Sequence, residues 1–397
     1  MKSIQSFFKH KETYIGMGTA LSAFLVIFFC IWMTAYDGVM ERTDNLRMGL
    51  VNEDKQLGTT IQEEITTQIP FEVKNYTSIE KAKKDLNRHE LDMVVQIPRS
   101  FSEQLEGQGE ANVIYFINQA NATMSKQIMD GAAQAMTQSM NDYVNGYKQQ
   151  QIVAALPQQF EAVIPSKELA QQLSKNMTEV FQSFNAQSVQ ASIEKTNNVD
   201  GFAATMVPLM IVLASFVGSM IMSMNLNIVA LKLKNDDKKW ALFIARQIIN
   251  MGVALILAAL TLVFLIVFQI EWTTNIWTVA MFQFFVYFAF LNLTQMFVVI
   301  FGTGGMLFNI IGLSLQLVTS GVIVPKVMLS DFYQAVGSYL PATYADAVNG
   351  YYTVIFGGEQ LSTDLIALLL ASAVTLFVAW MRISFQKTTT QTSKMTV

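Results

Sequence analysis

The side chains able to do chemistry inside the longest apolar stretches of this chain are amides. Asn250, Gln283, Asn292, Gln295, Asn309 and Gln316 stand in segments nearly free of ionisable residues. A carrier coupled to protons or sodium ions usually places carboxylates or broken helices at mid-membrane, and neither pattern occurs here. Amides can instead join helices or line a weakly polar route. Asn309 and Gln316 are seven residues apart, with Gly312 and Ser320 close to the same helical face. With Asn292 and Gln295 they form either a packing seam or a substrate path, and spacing alone leaves both open. No G-x-x-x-x-G-K-[ST] loop, G-x-S-x-G elbow or H-E-x-x-H helix occurs. No catalytic residue, metal site or cofactor is therefore expected, and any ATP must be hydrolysed by another chain. His10 and His89 are isolated, and the lone Cys30 excludes a disulfide within the chain.

The elements holding these amides are membrane helices. Apolar residues make up 52% of the chain and charged ones 14%, against about a quarter in soluble domains. Six stretches approach the roughly 20 apolar residues that a spanning helix needs: 15–36, 203–224, 247–268, 277–300, 305–324 and 363–381. The segments 1–14, 225–246 and 382–397 together carry eleven basic residues against three acidic ones, a net +8. The remainder holds −12 of a total of −4. Short basic loops stay in the cytoplasm, so both termini are expected there and 37–201 outside, in a multi-pass cell-membrane protein.

The expected external segment has two parts. Strand signals at 47–55, 71–76, 91–98 and 112–118 alternate with helix signals at 59–69 and 78–90, the latter capped by Ser78. This predicts a small α/β unit over 45–118 whose strands pair in parallel through helical crossovers. The second part, 120–200, is rich in Gln, Asn, Ser and Met. Its three- and four-residue apolar steps predict a stalk of two long helices, over 120–150 and 167–198, broken at Pro157 and Pro165. Its methionines read as helix packing.

Two connecting regions carry further signals. The inner loop before the third span holds Lys234, Lys238, Lys239, Trp240 and Arg246, which fit a short amphipathic helix on the membrane surface. A soluble motor subunit would push there, although lysines and tryptophan are routine at that depth. After the fifth span, 325–362 stays near the outer surface. Two short helices, 329–336 and 344–357, separated by "LPAT", predict a hairpin dipping into the outer leaflet with its tyrosine hydroxyls outward.

The residues Ser320–Gly321…Pro325 and Leu340–Pro341…Tyr344 resemble the re-entrant region of type-2 ABC exporter permeases, closest to their phage-infection-protein (YhgE/Pip) branch. "VNEDK" (51–55), "DMVVQIPRSFSEQL" (92–105) and "MVPLMIVLASFVGSMIMSMNL" (206–226) are similar, in order, to that branch's first external strand, strand–turn and second span. Two departures stand out: residues 232–246 lack the superfamily's ATPase-coupling pattern, and Val322 replaces a glycine. The resemblance implies an α-helical integral membrane protein with six spans arranged one plus five, an extracellular α/β domain and a helical stalk. It further implies a bacterial permease subunit of an ATP-driven exporter of amphipathic lipids, peptides, drugs or polymers. Such a subunit works as a homo- or heterodimer, surrounded by membrane lipid and bound to a cytoplasmic ATP-binding subunit, with no nucleic acid involved. The alternative is a non-transporting YhgE/Pip-like receptor or secretion-complex component acting through its extracellular domain.

Overall fold

The structure is a computed structural model that describes residues 6, 8–106, 110–163, 172–173, 175–177, 188–197, 202–233, 239–269, 272, 274–345 and 361–385. The chain divides into two compact units, one of 1–42, 120–123 and 199–397 and the other of 43–119 and 124–198. The first unit opens with helix α1 (Lys11–Leu25), which continues as a π-helical segment over Val26–Met33.

The second unit is a mixed five-stranded sheet flanked by helices. In chain order it runs β1 (Arg47–Asn52), α2 (Gly58–Gln68), β2 (Glu72–Tyr76), α3 (Ile79–Asn87), β3 (Met93–Ile97), α4 (Phe101–Glu106), β4 (Ala111–Asn118), α5 (Thr123–Val163) and β5 (Val189–Thr196). The strands lie in the order β2-β1-β3-β4-β5. As expected, β1 pairs in parallel with β2 and β3 through helical crossovers. β4 differs: it runs antiparallel to β3, because α4 is a short six-residue turn of helix rather than a full crossover. Alternation along the strands sends Val51, Val94 and Phe116 to one face, where they meet Leu86 of α3. Tyr115 points to the other face, where its hydroxyl shares a 2.8 Å hydrogen bond with Thr137 of α5.

The stalk expectation is corrected in two places. α5 is a single helix of 41 residues that passes through Pro157. Proline's fixed φ is compatible with a helix, so the residue removes one hydrogen bond without ending the element. Residues 189–196, expected in the second stalk helix, form β5 and pair in parallel with β4. Val189, Ala191 and Ile193 do alternate, but a polar, edge-exposed strand gives only a faint period-two signal. Asn141 of α5 fixes where β5 starts: its Oδ1 accepts the amides of Ser188 and Val189, each at 2.8 Å, and its Nδ2 donates to Val189 O at 2.8 Å. Asn141→Ala leaves three buried backbone groups unpaired and should destabilise this region by about 2 kcal/mol. Hydrogen exchange should register it as lost protection in β5 and unchanged protection in β1. Pro165 and most of 167–187 lie outside the described residues.

The first unit resumes with a run of helices, the longest of which could cross a membrane. They are α6 (Phe202–Leu233), α7 (Lys239–Val267), α8 (Ile276–Phe301), α9 (Gly305–Thr319), the short α10 (Asp331–Gly337) and α11 (Ala342–Ala345), and α12 (Leu361–Ser384). Among the described residues, five segments meet the length and composition of a span: Thr13–Met33, Leu209–Leu233, Lys239–Val267, Ile276–Thr319 and Leu361–Ser384. The fourth, at 44 residues, doubles back on itself at the turn Gly302–Gly304. Asn309 Nδ2 donates to Thr294 O at 3.2 Å, and Phe308 stacks on Phe301 at 4.1 Å and on Phe297 at 6.0 Å. α8 and α9 are thus an antiparallel hairpin. α9, at 15 residues, is about 22 Å long, short of the roughly 30 Å hydrocarbon layer.

α8 is the central helix and packs against α6, α7, α9 and α12. Its buried apolar face carries Val279, Phe282, Val286, Ala289 and Phe290, with Phe216 of α6 edge-on to Phe290 at 5.5 Å. Apolar burial of this kind cannot orient helices strongly in lipid, so specific polar and close backbone contacts must set the register.

Candidate functional site: buried amides and a terminal clasp

One layer of polar side chains ties α8 to three neighbours. Asn250 of α7 donates its Nδ2 to Gln295 Oε1. Thr294 shares a 2.8 Å hydrogen bond with Ser223 of α6, and its backbone oxygen receives Asn309 of α9. Two turns away along α8, Thr261 of α7 is hydrogen-bonded to the Tyr287 hydroxyl. Asn250, Gln295 and Asn309 are all buried within the chain itself. The hydroxyl partners Ser223 and Thr294 escaped the sequence reading because serine and threonine commonly bond their own helix.

The same core holds amides with idle groups. Gln283 is 0% exposed and Asn292 2% exposed, yet neither amide reaches a hydrogen-bond partner at either end. Asn250 Oδ1, Gln295 Nε2, Asn309 Oδ1 and Gln316 Nε2 are also unpaired. An unpaired buried amide costs about 1–3 kcal/mol. Gln283→Leu should therefore raise the thermal midpoint of the detergent-solubilised protein, worth about 1–2 kcal/mol after imperfect shape matching. A lowered midpoint would show that Gln283 is in fact satisfied. Asp364, in the first turn of α12, is 4% exposed with Oδ2 unpaired, a buried carboxylate that hydropathy had absorbed into the last span.

At the Gln316 end of α9 the chain forms a clasp from the residues that the sequence singled out there. Ser320 Oγ donates to Leu317 O at 3.2 Å, which closes the helix. Gly321 then adopts φ +89°, a left-handed conformation that strains any residue with a Cβ. Pro325 leads into a 3₁₀ turn over Lys326–Met328. Leu340 N donates to Gly337 O, and Pro341 O accepts the amides of Tyr344 and Ala345, starting α11. Tyr344 donates to Ser338 O at 2.7 Å, and Gln316 Oε1 receives Ala342 N at 3.1 Å. Tyr333 departs from the expected pattern. It is buried, and its hydroxyl points to the carbonyls of Cys30 and Ile31 in the first helix, because that helix presents acceptors there. Residues 346–357, expected as the second outer helix, lie outside the described residues.

A family model described as "ABC-2 family transporter protein" matches residues 16–381. The chain belongs to the ABC-2 transporter family. As an ABC-2 permease it is a multi-pass membrane protein. No curated protein matches it. Among solved structures it is similar to a domain assigned to an ABC type-2 transporter of Thermotoga maritima MSB8. That likeness has 14% identity over 25% of this chain and 70% of that one, with a TM-score of 0.23, too low to bear on the fold.

At the opposite end of the permease from the clasp, α6 runs on to Leu233 and α7 already begins at Lys239. A separate surface helix over 231–247 is therefore not what the described residues form. Backbone hydrogen bonding carries the two helices beyond the apolar stretch that hydropathy detects. Lys239 Nζ donates to Ser384 O at 3.2 Å, and Trp240 lies against Trp380 at 6.1 Å, so the start of α7 is fastened to the end of α12. Arg246 is half-buried and donates to Asn227 of α6 at 3.1 Å. Lys234 and Lys238 lie outside the described residues.

Proposed function

We propose that this ABC-2 permease is the membrane subunit of an ATP-driven exporter of amphipathic substrates, with six spans counted by taking α8 and α9 separately. A cytoplasmic ATP-binding subunit would press on 234–246, and two copies, or this chain and a similar one, would enclose the route. The observation that carries this reading is the absence of any Asp, Glu, Lys or Arg between Glu271 and Lys326. The central helical hairpin thus lacks the charged side chains that ion-coupled carriers usually place at mid-membrane, which favours an energy source in a partner. The fastening of Lys239 and Trp240 to α12 supports the coupling site. A push on α7 there would move α12 with it, and both contact or flank the central helix.

The buried amides fit a packing role better than a path. Asn292, Gln295, Asn309 and Gln316 are enclosed within one chain, whereas a route between two copies would be lined by residues left on its surface. The 43–119 and 124–198 unit would lie outside the cell and cap the route.

Purification from native membranes in mild detergent, with mass spectrometry and an ATPase assay, tests the reading. A stoichiometric nucleotide-binding partner should appear, and should be lost on changing Lys238, Lys239 and Trp240 to alanine. Recovery of envelope-secretion components without an ATPase would move the assignment to a receptor or secretion platform of the phage-infection-protein kind.

A further inference from the structure

The first helix changes its winding partway along. Val26–Met33 is π-helical, while Lys11–Leu25 before it is α-helical and Tyr36 N returns to an α-type bond with Trp32 O at 3.2 Å. Where five-residue bonding gives way to four-residue bonding, the carbonyls cannot all find amides along the helix. In hydrocarbon there is no water to serve the remainder, so the donors must come from side chains. They do. Thr34 Oγ1 donates to Cys30 O at 2.6 Å. Tyr333, from α10 of the clasp, places its hydroxyl 3.0 Å from Cys30 O and 3.1 Å from Ile31 O, and is itself hydrogen-bonded to Thr34 Oγ1.

The two halves of this helix are held very differently. Ile31, Ala35 and Val39 are buried, and Trp32 Nε1 donates to Ser314 of α9 at 2.9 Å. From Tyr14 to Leu25, every side chain except Ala23 is exposed, and a Cβ built on Gly16 or Gly18 would meet nothing within 4 Å. One half is therefore anchored, while the other approaches α9 but buries almost no side-chain surface there, so little holds its rotation.

We propose that Tyr333 is a latch that holds the first helix in its π register, and that withdrawing it lets Val26–Met33 rewind as α-helix. Ile31 O already receives the Thr34 amide, so Cys30 O is the carbonyl that depends on outside donors, and in the α register the Thr34 amide would serve it instead. Each residue of register turns the free half by about 100° relative to the anchored half. A movement of the clasp is thereby carried along one helix to the opposite membrane face, whatever the protein transports. Tyr333 acts here as a positioning residue: it sets the winding of another element and touches no substrate.

The test uses the full chain in proteoliposomes. Cys30 is the sole cysteine, so Cys30→Ala supplies a cysteine-free background. Spin labels on Gly18→Cys in α1 and Gly252→Cys in α7, both in open space, report the rotation by double electron–electron resonance. With the latch intact a single distance is expected. Tyr333→Phe should add a second, displaced population, and Thr34→Val should shift the balance the same way. Trp32→Phe cuts the tie to α9 but spares the carbonyl donors, and should leave the distance in place. An unchanged distance in Tyr333→Phe, or equal broadening in Trp32→Phe and Tyr333→Phe, would overturn the latch. If Tyr333→Phe does not insert, Thr34→Val alone decides, and an unmoved distance there refutes it.

Discussion

Asp54→Ala is expected to unfold the core of the α/β unit, at a cost of about 3–4 kcal/mol. The Asp54 carboxylate is buried between the loop after β1 and the start of α4. Its Oδ1 accepts the amides of Gln56 and Gly58, each at 2.9 Å, and the Ser102 hydroxyl at 2.7 Å; its Oδ2 accepts Ser102 N at 3.0 Å. Ser102 Oγ in turn receives Leu57 N at 3.0 Å. Removing the carboxylate strands four donors, and losing one partner of a buried charged network is among the costliest single changes. Asp54→Asn should rescue only part of this, because an amide nitrogen on either side would face N–H groups. Burial pushes the carboxyl up, but the bonds from Ser102, Gly58 and Gln56 outweigh it and hold its pKa below the ordinary value. The sign follows: a lowered folded pKa gives stability that is full above the unfolded pKa near 3.9 and lost as pH falls through the folded one. Wild type should therefore lose protection of β1 and β3 in acid below about pH 4. Asp54→Ala should show the loss already at neutral pH and little further change. Hydrogen exchange of β1 and β3 from pH 7 to pH 3 measures both, and a neutral-pH Asp54→Ala pattern equal to wild type would refute the assignment.

The second large effect is expected at the hairpin of α8 and α9. A Cβ on Gly305 would lie 2.4 Å from Phe297 O and 2.7 Å from Val298 Cα, both backbone atoms that cannot swing aside. Gly305→Ala should therefore force the two helices apart and cost about 3 kcal/mol, at the upper end of overpacking. The separation would also lengthen the Asn309–Thr294 hydrogen bond one turn further on. Gly304, its neighbour, meets nothing within 4 Å, so Gly304→Ala is the matched control and should be nearly neutral. Thermal midpoints of both variants in detergent decide the matter; similar losses would mean that the turn, and not the close approach, is the sensitive feature.

Much of this architecture is legible in residue order. The short apolar runs of β1 and β3 ending in polar or proline turns, the Ser78 cap and the long apolar stretches are local signals, legible in short windows. β5 was lost because its strand identity comes from pairing with β4 and from Asn141, both distant in sequence. Pro157 misled for the complementary reason, since a long helix can absorb one missing hydrogen bond. The motifs "VNEDK" and "IPRSFSEQL" were each visible, but nothing in either shows that Asp54 of one binds Ser102 of the other.

By itself, the order of residues determined that this is a multi-pass membrane protein with an inserted α/β unit and no Asp, Glu, Lys or Arg in its helical hairpin. Hydropathy and charge act through short windows, and short windows are what a chain displays directly. Which amides are joined, and which are left idle, was decided only by the tertiary structure. So was the inward turn of Tyr333 onto the first helix. These depend on where one helix stands along another, a displacement of a few ångströms set by contacts such as Gly305 on Phe297 that no local pattern encodes.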